Sequence, residues 1–409
     1  MNRETKRKGK IMEVYLDNNS TTQIDPKVEE VYTQTISKYG NINVIYNKGI
    51  EARALLNDAY DKLYDGLNAA DEDDIIITAS TTEGNNIIIK TFLTEFLKGS
   101  QKNHIISTVA EHSSIKAPLK FCKEMGMDVT YVGTDENGLV NVAEIEAAVT
   151  DKTCLITVLT ASNETGAIQD IKAISEIAKN NNVYFHSDGA QAIGKMRVDL
   201  QELGVDYFTF SAHKFHGPKG VGACYVKAGA PYEPLIHGAK NIMGGKRGGS
   251  IYNNGVAAMA RAVELGNINL SFLDHTTQAL RNKLEDALLA IPDTKAYVPR
   301  ENRLKNMVAI SFKGIEGEAM LWDMNENGIY LSTGSSCSSE DLEASAVVEA
   351  LGEKTEIANA TVMFALSKFT TEDQVDYVIG KVRATVERLR EISMTYAKQE
   401  AFSVHLHEH

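Results

Sequence analysis

The sequence predicts an α/β protein: a large domain built on a mainly parallel sheet flanked by helices, followed by a smaller α+β domain. Three observations carry this. Short β-rich runs alternate with helical patterns between residues 25 and 267. Those runs are almost continuously apolar, as strands covered on both faces are. After about residue 268 the order of elements changes, so the large domain is predicted at 25–267 and a second domain from 268 to 409.

The predicted strands of the large domain are IIIT at 75, HIIST at 104, DVTYV at 128, CLITVLTA at 154, VYFH at 183, YFTF at 207 and GACYV at 222. Asp25 followed by Pro26 reads as an N-cap and first-turn pair, with Val28, Val31, Tyr32, Thr35 and Ile36 at helical spacing behind it. The second domain is predicted as a long helix, then strands VAISF at 308, IYLS at 329 and VMFAL at 362, then a closing helix. Thr371 and Gln374 form a capping-box pattern ahead of that helix, and Val375, Val378, Val382, Val386 and Leu389 form its apolar stripe.

Composition bounds the function classes. The 409 residues, 43% hydrophobic and 24% charged, suit a large globular chain with two or three domains. A formal charge of -13 argues against nonspecific binding to nucleic acid or anionic membrane. The four cysteines, at 122, 154, 224 and 337, have no metal-type spacing, so neither a zinc site nor a disulfide framework is expected. There is no signal-peptide pattern and no apolar stretch near about 18 residues, so a cytoplasmic protein with reduced thiols is expected. The basic start MNRETKRKGK and the HLHEH at 405–409 read as terminal tails, and no metal site is expected.

One run carries chemistry. SAHKFHGPKG at 211–220 sets Lys214 between two histidines, directly after DYFTF at 206–210. A lysine at the end of a buried strand has its pKa lowered by desolvation and its amine left nucleophilic, the setting for a Schiff-base lysine. Upstream, HSDGAQ at 186–191 places Asp188 after VYFH, where a carboxylate needs a cationic partner. A protonated pyridinium nitrogen is such a partner, and a Lys linkage with an Asp-paired pyridinium is the signature of pyridoxal 5'-phosphate.

These two segments occur in order with YLDNNSTT at 15–22, TTEGNN at 81–86, AEHSSI at 110–115, SNETG at 162–166 and STGSSCSSE at 332–340. From about residue 14 to about 390 the chain resembles the cysteine desulfurases, pyridoxal phosphate enzymes of the class V aminotransferase group with fold type I. The resemblance implies that residues 1–24 join 268–409 in the small domain, which carries the cysteine loop. It implies that Thr81 and Thr82, opening a helix after IIIT, hold the cofactor phosphate, with Ser211 and His213 adding contacts. His112 would stack on the pyridine ring and shuttle protons, Asn163 would donate to the ring hydroxyl, and Gln191 would lie beside it. Ser250, in KRGGS, stands where relatives have a threonine that reaches the phosphate of the other subunit, which implies a homodimer.

Cys337 sits among small polar residues, unlike the other three cysteines, which fall in helical or strand patterns. By the resemblance, Lys214 takes the Cα proton of a cysteine substrate, Cys337 receives its sulfur as a persulfide, and alanine leaves. The sulfur then passes to an acceptor protein. One position departs from the pattern: Met363, in VMFALSKFT, replaces an arginine that relatives use on the substrate carboxylate. Arg247 or Lys368 could catch the carboxylate instead. Two other readings stay open at this point: a pyridoxal phosphate lyase or aminotransferase on another amine, and a non-catalytic sulfur-relay subunit.

Overall fold

The computed structural model describes residues 11–239, 243–334, 345–393 and 396. Its strands are β1 (Val14–Tyr15), β2 (Asp74–Thr78), β3 (His104–Thr108), β4 (Asp128–Val132), β5 (Thr153–Thr157), β6 (Tyr184–Asp188), β7 (Tyr207–Ser211), β8 (Gly222–Val226), β9 (Thr294–Ala296), β10 (Met307–Phe312), β11 (Ile329–Tyr330), β12 (Ser332–Thr333) and β13 (Thr361–Ala365). The chain divides into two compact units, Asn19–Ser271 with Pro299–Leu304, and Met1–Asn18 with Phe272–Val298 and Lys305–His409. The segment Pro299–Leu304, which the sequence reading places in the second domain, thus belongs to the larger unit.

The larger unit is built on a seven-stranded sheet of order β2-β8-β7-β6-β5-β3-β4. All pairs from β7 to β4 are parallel, and β8 alone runs against both its neighbours. Strands β3, β5, β7 and β8 are buried throughout, which is why their sequences are continuous apolar and small-polar runs without alternation. DVTYV is the exception: only Val132 of β4 is buried, because β4 is the sheet's edge. β7 and β8 form a hairpin, Tyr207 opposite Val226 and Ser211 opposite Gly222, with the Lys214 segment as its loop.

Two glycines are fixed by close approach. A Cβ on Gly189 would lie 1.9 Å from Phe208 Cζ, and one on Gly84 would lie 2.9 Å from Thr209 Cγ2. Glycine therefore lets the turn after β6, and the helix Thr81–Leu97, settle against β7.

In the smaller unit β1 pairs in parallel with β11, and an antiparallel sheet has the order β12-β13-β10-β9. IYLS is therefore split between two sheets. The closing helix Glu372–Glu391 has the capping box of Thr371 and Gln374, and its valine stripe is buried with Val308, Ile310 and Phe364. The predicted long helix after 268 is interrupted. A π-helical turn, Leu273–Thr277, precedes the helix Gln278–Leu289, close to where the chain passes from one unit to the other.

Candidate active site

The carboxyl ends of five strands of the larger unit open onto one cavity of about 230 Å³. Open α/β sheets bind ligands at these ends, because loops and helix N-termini converge there. Thr81 and Thr82 come from beyond β2, His112 from beyond β3, Asn163 from beyond β5, and Asp188 and Gln191 from the end of β6 and the turn after it. Ser211 closes β7, and His213 and Lys214 lie in the 3₁₀ turn Ala212–Lys214 that follows.

Asp188 is buried, and its carboxylate accepts from the Ala190 N–H and from Asn85 Nδ2, at 2.9 and 2.8 Å. Among the described residues it makes no salt bridge, and the donors from Ala190 and Asn85 are both neutral. Asn85, fully buried in TTEGNN, is a site residue that sequence reasoning missed. It also donates to Ser114 Oγ at 2.9 Å and accepts from Thr209 Oγ1 at 2.5 Å.

Lys214 Nζ donates to the carbonyls of Asn19 and Ser20, at 2.7 and 2.9 Å. Gln191 Nε2 donates to the same Asn19 carbonyl at 2.9 Å, and Asn19 Nδ2 donates to the Asn163 carbonyl at 2.9 Å. A second lysine, unseen in the sequence reading, completes this cluster: Lys195 is buried, donates to Gln191 Oε1 and reaches Asn19 Oδ1 at 3.4 Å. Desolvation, with Lys214 adding repulsion, pushes the Lys195 amine well below the ordinary lysine range.

At the helix start, the Thr81 N–H and hydroxyl both bond Ser211 Oγ, and the Glu83 N–H bonds Ser80 Oγ. The Thr82 N–H has no protein partner among the described residues, so it is the first-turn amide open to an anion. His213 Nδ1 lies 3.1 Å from Thr21 Oγ1, and desolvation followed by repulsion from Lys214 brings its imidazole down to about 4. Beside His112, the carboxyl of Glu111 is buried; its Oε1 accepts from Thr108 and from the Leu159 N–H, and its Oε2 has no partner among the described residues. Burial raises it to about 8.

Not every residue named from the sequence is brought to this cavity. Ser250 lines a different cavity of the larger unit, with Tyr46 and Tyr252. Cys337 and both tails lie outside the described residues. Cys122, Cys154 and Cys224 are buried, and burial raises the first two thiols to about 11 and about 12 and the third further still. Met363 is 5% exposed in β13, opposite Ala309 and Ser332. Arg247 is paired with Glu83 at 3.0 Å. No helix among the described residues is long and apolar enough to cross a membrane.

Residues 14–378 match the aminotransferase class-V family model. The chain is 36% identical over 383 residues to cysteine desulfurase IscS of Dictyoglomus turgidum, covering 93% of this chain and 96% of that protein. The chain belongs to the cysteine desulfurase family of class V aminotransferases. Cysteine desulfurase 2 of Trichormus variabilis is 38% identical, over 93% of this chain and 94% of its own. Among solved structures, a NifS-like protein superposes with a TM-score of 0.86 at 35% identity, over 92% of this chain and all of that one. SspA in complex with cysteine superposes with a TM-score of 0.76 at 26% identity, over 88% of this chain and all of that one. Class V aminotransferases and cysteine desulfurases are pyridoxal phosphate enzymes, and the residues here fit that group. The unbridged carboxylate of Asp188 suits a cationic ring nitrogen, and the open Thr82 amide suits a phosphate.

Proposed function

We propose that this protein is a pyridoxal phosphate-dependent cysteine desulfurase that collects sulfur as a persulfide on Cys337, releases alanine and passes the sulfur to an acceptor protein. The observation that carries the reading is that Lys214, Asp188 and His112 line a single cavity in a chain whose curated relatives are named cysteine desulfurases. When bound, pyridoxal phosphate supplies an electron sink beside the substrate Cα. Lys214 would anchor it covalently, Asp188 would pair with its ring nitrogen, and Asn163 and Gln191 would flank the ring. Thr81, Thr82, Ser211 and His213 would hold its phosphate, and Ser250 would serve the site of a second subunit in a homodimer.

The remaining work falls to side chains. The Lys214 amine takes the Cα proton of the substrate, its two carbonyl partners holding Nζ on the cavity side of the Asn19–Ser20 strap. Cys337 Sγ accepts the substrate sulfur, so a sulfur–sulfur bond forms as the carbon–sulfur bond breaks. Since Met363 carries no charge and Arg247 is tied to Glu83, the substrate carboxylate is left to another cation or to backbone donors. A reducing, cytoplasmic setting suits a chemistry that depends on free thiols.

The test is turnover of cysteine with dithiothreitol, scored by both alanine and sulfide. Equal release of the two, lost in Lys214→Ala along with the visible cofactor band that borohydride traps, is the expected result. Borohydride trapping at another lysine, or a cofactor spectrum perturbed by a different amine while cysteine is inert, would replace this reading with a lyase or aminotransferase. Cofactor absorbance with no turnover of any amine would leave the non-catalytic relay.

A further inference from the structure

The imidazole at the cavity is also a helix cap. His112 is the N-cap of the helix Ser113–Glu124, and its Nδ1 accepts from the Ser114 backbone N–H at 3.1 Å. A backbone N–H can only donate, so Nδ1 carries no proton, and the neutral ring has its proton on Nε2. Ser114 Oγ lies 2.8 Å from the same Nδ1. With Nδ1 an acceptor, the hydroxyl must be the donor.

The direction of that hydroxyl is set in turn by Asn85. Its Nδ2 donates to Ser114 Oγ at 2.9 Å and to Asp188 Oδ2 at 2.8 Å, and its Oδ1 accepts from Thr209 Oγ1. A flipped amide would set its oxygen against the Asp188 carboxylate oxygen, acceptor facing acceptor, and its nitrogen against the Thr209 hydroxyl. The amide therefore has one workable orientation, and Ser114 Oγ, already accepting from Asn85, turns its own proton to His112.

We infer that Asn85 and Ser114 are positioning residues that hold His112 as the neutral Nε2–H tautomer, so that it meets the cavity as a hydrogen-bond donor and not as a proton acceptor. Protonating Nδ1 would break the cap, oppose the Ser114 O–H and place a cation at the positive end of a helix. The charged groups that act on the ring are Asp188, which favours the imidazolium, and Lys214 and Lys116, which oppose it. Desolvation is the largest influence and acts with the lysines, so the net direction is downward. The inference rests on the desulfurase reading only for its consequence: base work falls to Lys214 Nζ, and His112 offers a donor to a sulfur or oxygen atom in the cavity.

The experiment is a long-range proton–nitrogen correlation spectrum of protein labelled with ¹⁵N-histidine, the His112 signals being those lost in His112→Gln. A pyridine-like Nδ1 and a pyrrole-like Nε2 are expected in the neutral ring of the wild type. Ser114→Ala, which keeps the backbone donor but removes the hydroxyl, should weaken the tautomer preference by roughly fivefold and raise the pH at which the ring titrates. Ser114→Thr should restore both. A pyrrole-like Nδ1 in the wild type, or a folded Ser114→Ala identical to it, would overturn the inference. The wild-type spectrum alone decides the tautomer should Ser114→Ala fold poorly. Because the readout is a nitrogen shift, a protein inert towards cysteine that still shows Nε2–H overturns the activity and upholds the tautomer.

Discussion

Lys195 donates its hydrogen bond to Gln191 Oε1, which fixes the Gln191 amide so that Nε2 points at the Asn19 carbonyl. That carbonyl also accepts from Lys214 Nζ at 2.7 Å. A buried amine one step removed from the cavity thus sets the orientation of a cavity amide and, through it, the strap that holds the reactive lysine.

Lys195→Met should therefore cost stability in a pH-dependent way. A lysine pushed down in the folded state binds fewer protons than the unfolded chain, so wild-type stability rises with pH up to about 10.4, the unfolded lysine value. Methionine has no such slope and leaves Gln191 Oε1 without its donor, a loss of about 1–3 kcal/mol. Urea titrations of both proteins at neutral and at alkaline pH check this. The deficit of Lys195→Met should grow as the pH rises, and a constant deficit would argue against a buried, depressed amine.

Glu111→Gln should remove a slope of the opposite sign. With its carboxyl raised to about 8, Glu111 keeps a proton in the folded state that the unfolded chain has released. Folded protein accordingly loses stability as the pH climbs from the ordinary glutamate value of about 4.3 towards 8. Glutamine keeps the acceptor for Thr108 and Leu159 and mimics the neutral acid, so its thermal midpoint should be flatter over that window and exceed the wild type at the alkaline end. Parallel profiles for the two proteins would contradict the raised carboxyl.

Alkylation at neutral pH should modify Cys337 well before the other cysteines. Cys122, Cys154 and Cys224 are buried with raised thiols, and each should become reactive only on unfolding. Peptide mapping after a brief iodoacetamide pulse tests the order. Cys337→Ala should abolish sulfur transfer and leave the cofactor spectrum as in the wild type; undiminished sulfur transfer would remove Cys337 from the reaction.

Met363→Arg should lower the KM for cysteine. A charge-assisted pair is worth roughly 1.5–3 kcal/mol, about ten- to a hundredfold, but the site is a buried strand position and an unpaired guanidinium there is costly. A gain at the lower end is expected. A rise in KM with an otherwise intact fold would mean that a guanidinium at this position does not reach the carboxylate.

The larger sheet was legible because short apolar runs such as IIIT and HIIST alternate with longer helical patterns, whereas the same isoleucine run at 87–89 falls inside the helix Thr81–Leu97, and the capping pairs at Asp25 and Thr371 announce their helices. What stayed hidden depended on the third dimension. β9 has three residues and half-exposed ends, too short for a pattern. Lys195 reads as a solvated charge until the fold buries it, and Asn85 reads as one more polar residue at a helix start until it is seen bridging Asp188 and Ser114. Ser250 is the reverse case: the resemblance gives it a part in a site of another copy, a relation that the residues of one chain cannot display.

The reversed strand β8 gives the Lys214 segment a kinetic character of its own. Residues 212–221 are pinned at both ends by the Ser211–Gly222 pair of the hairpin, so the loop-closure entropy is met by contacts between near neighbours in sequence. The backbone of the turn can thus close locally, whereas its amine finds its hydrogen-bond partners only when the distant Asn19 and Ser20 carbonyls reach it.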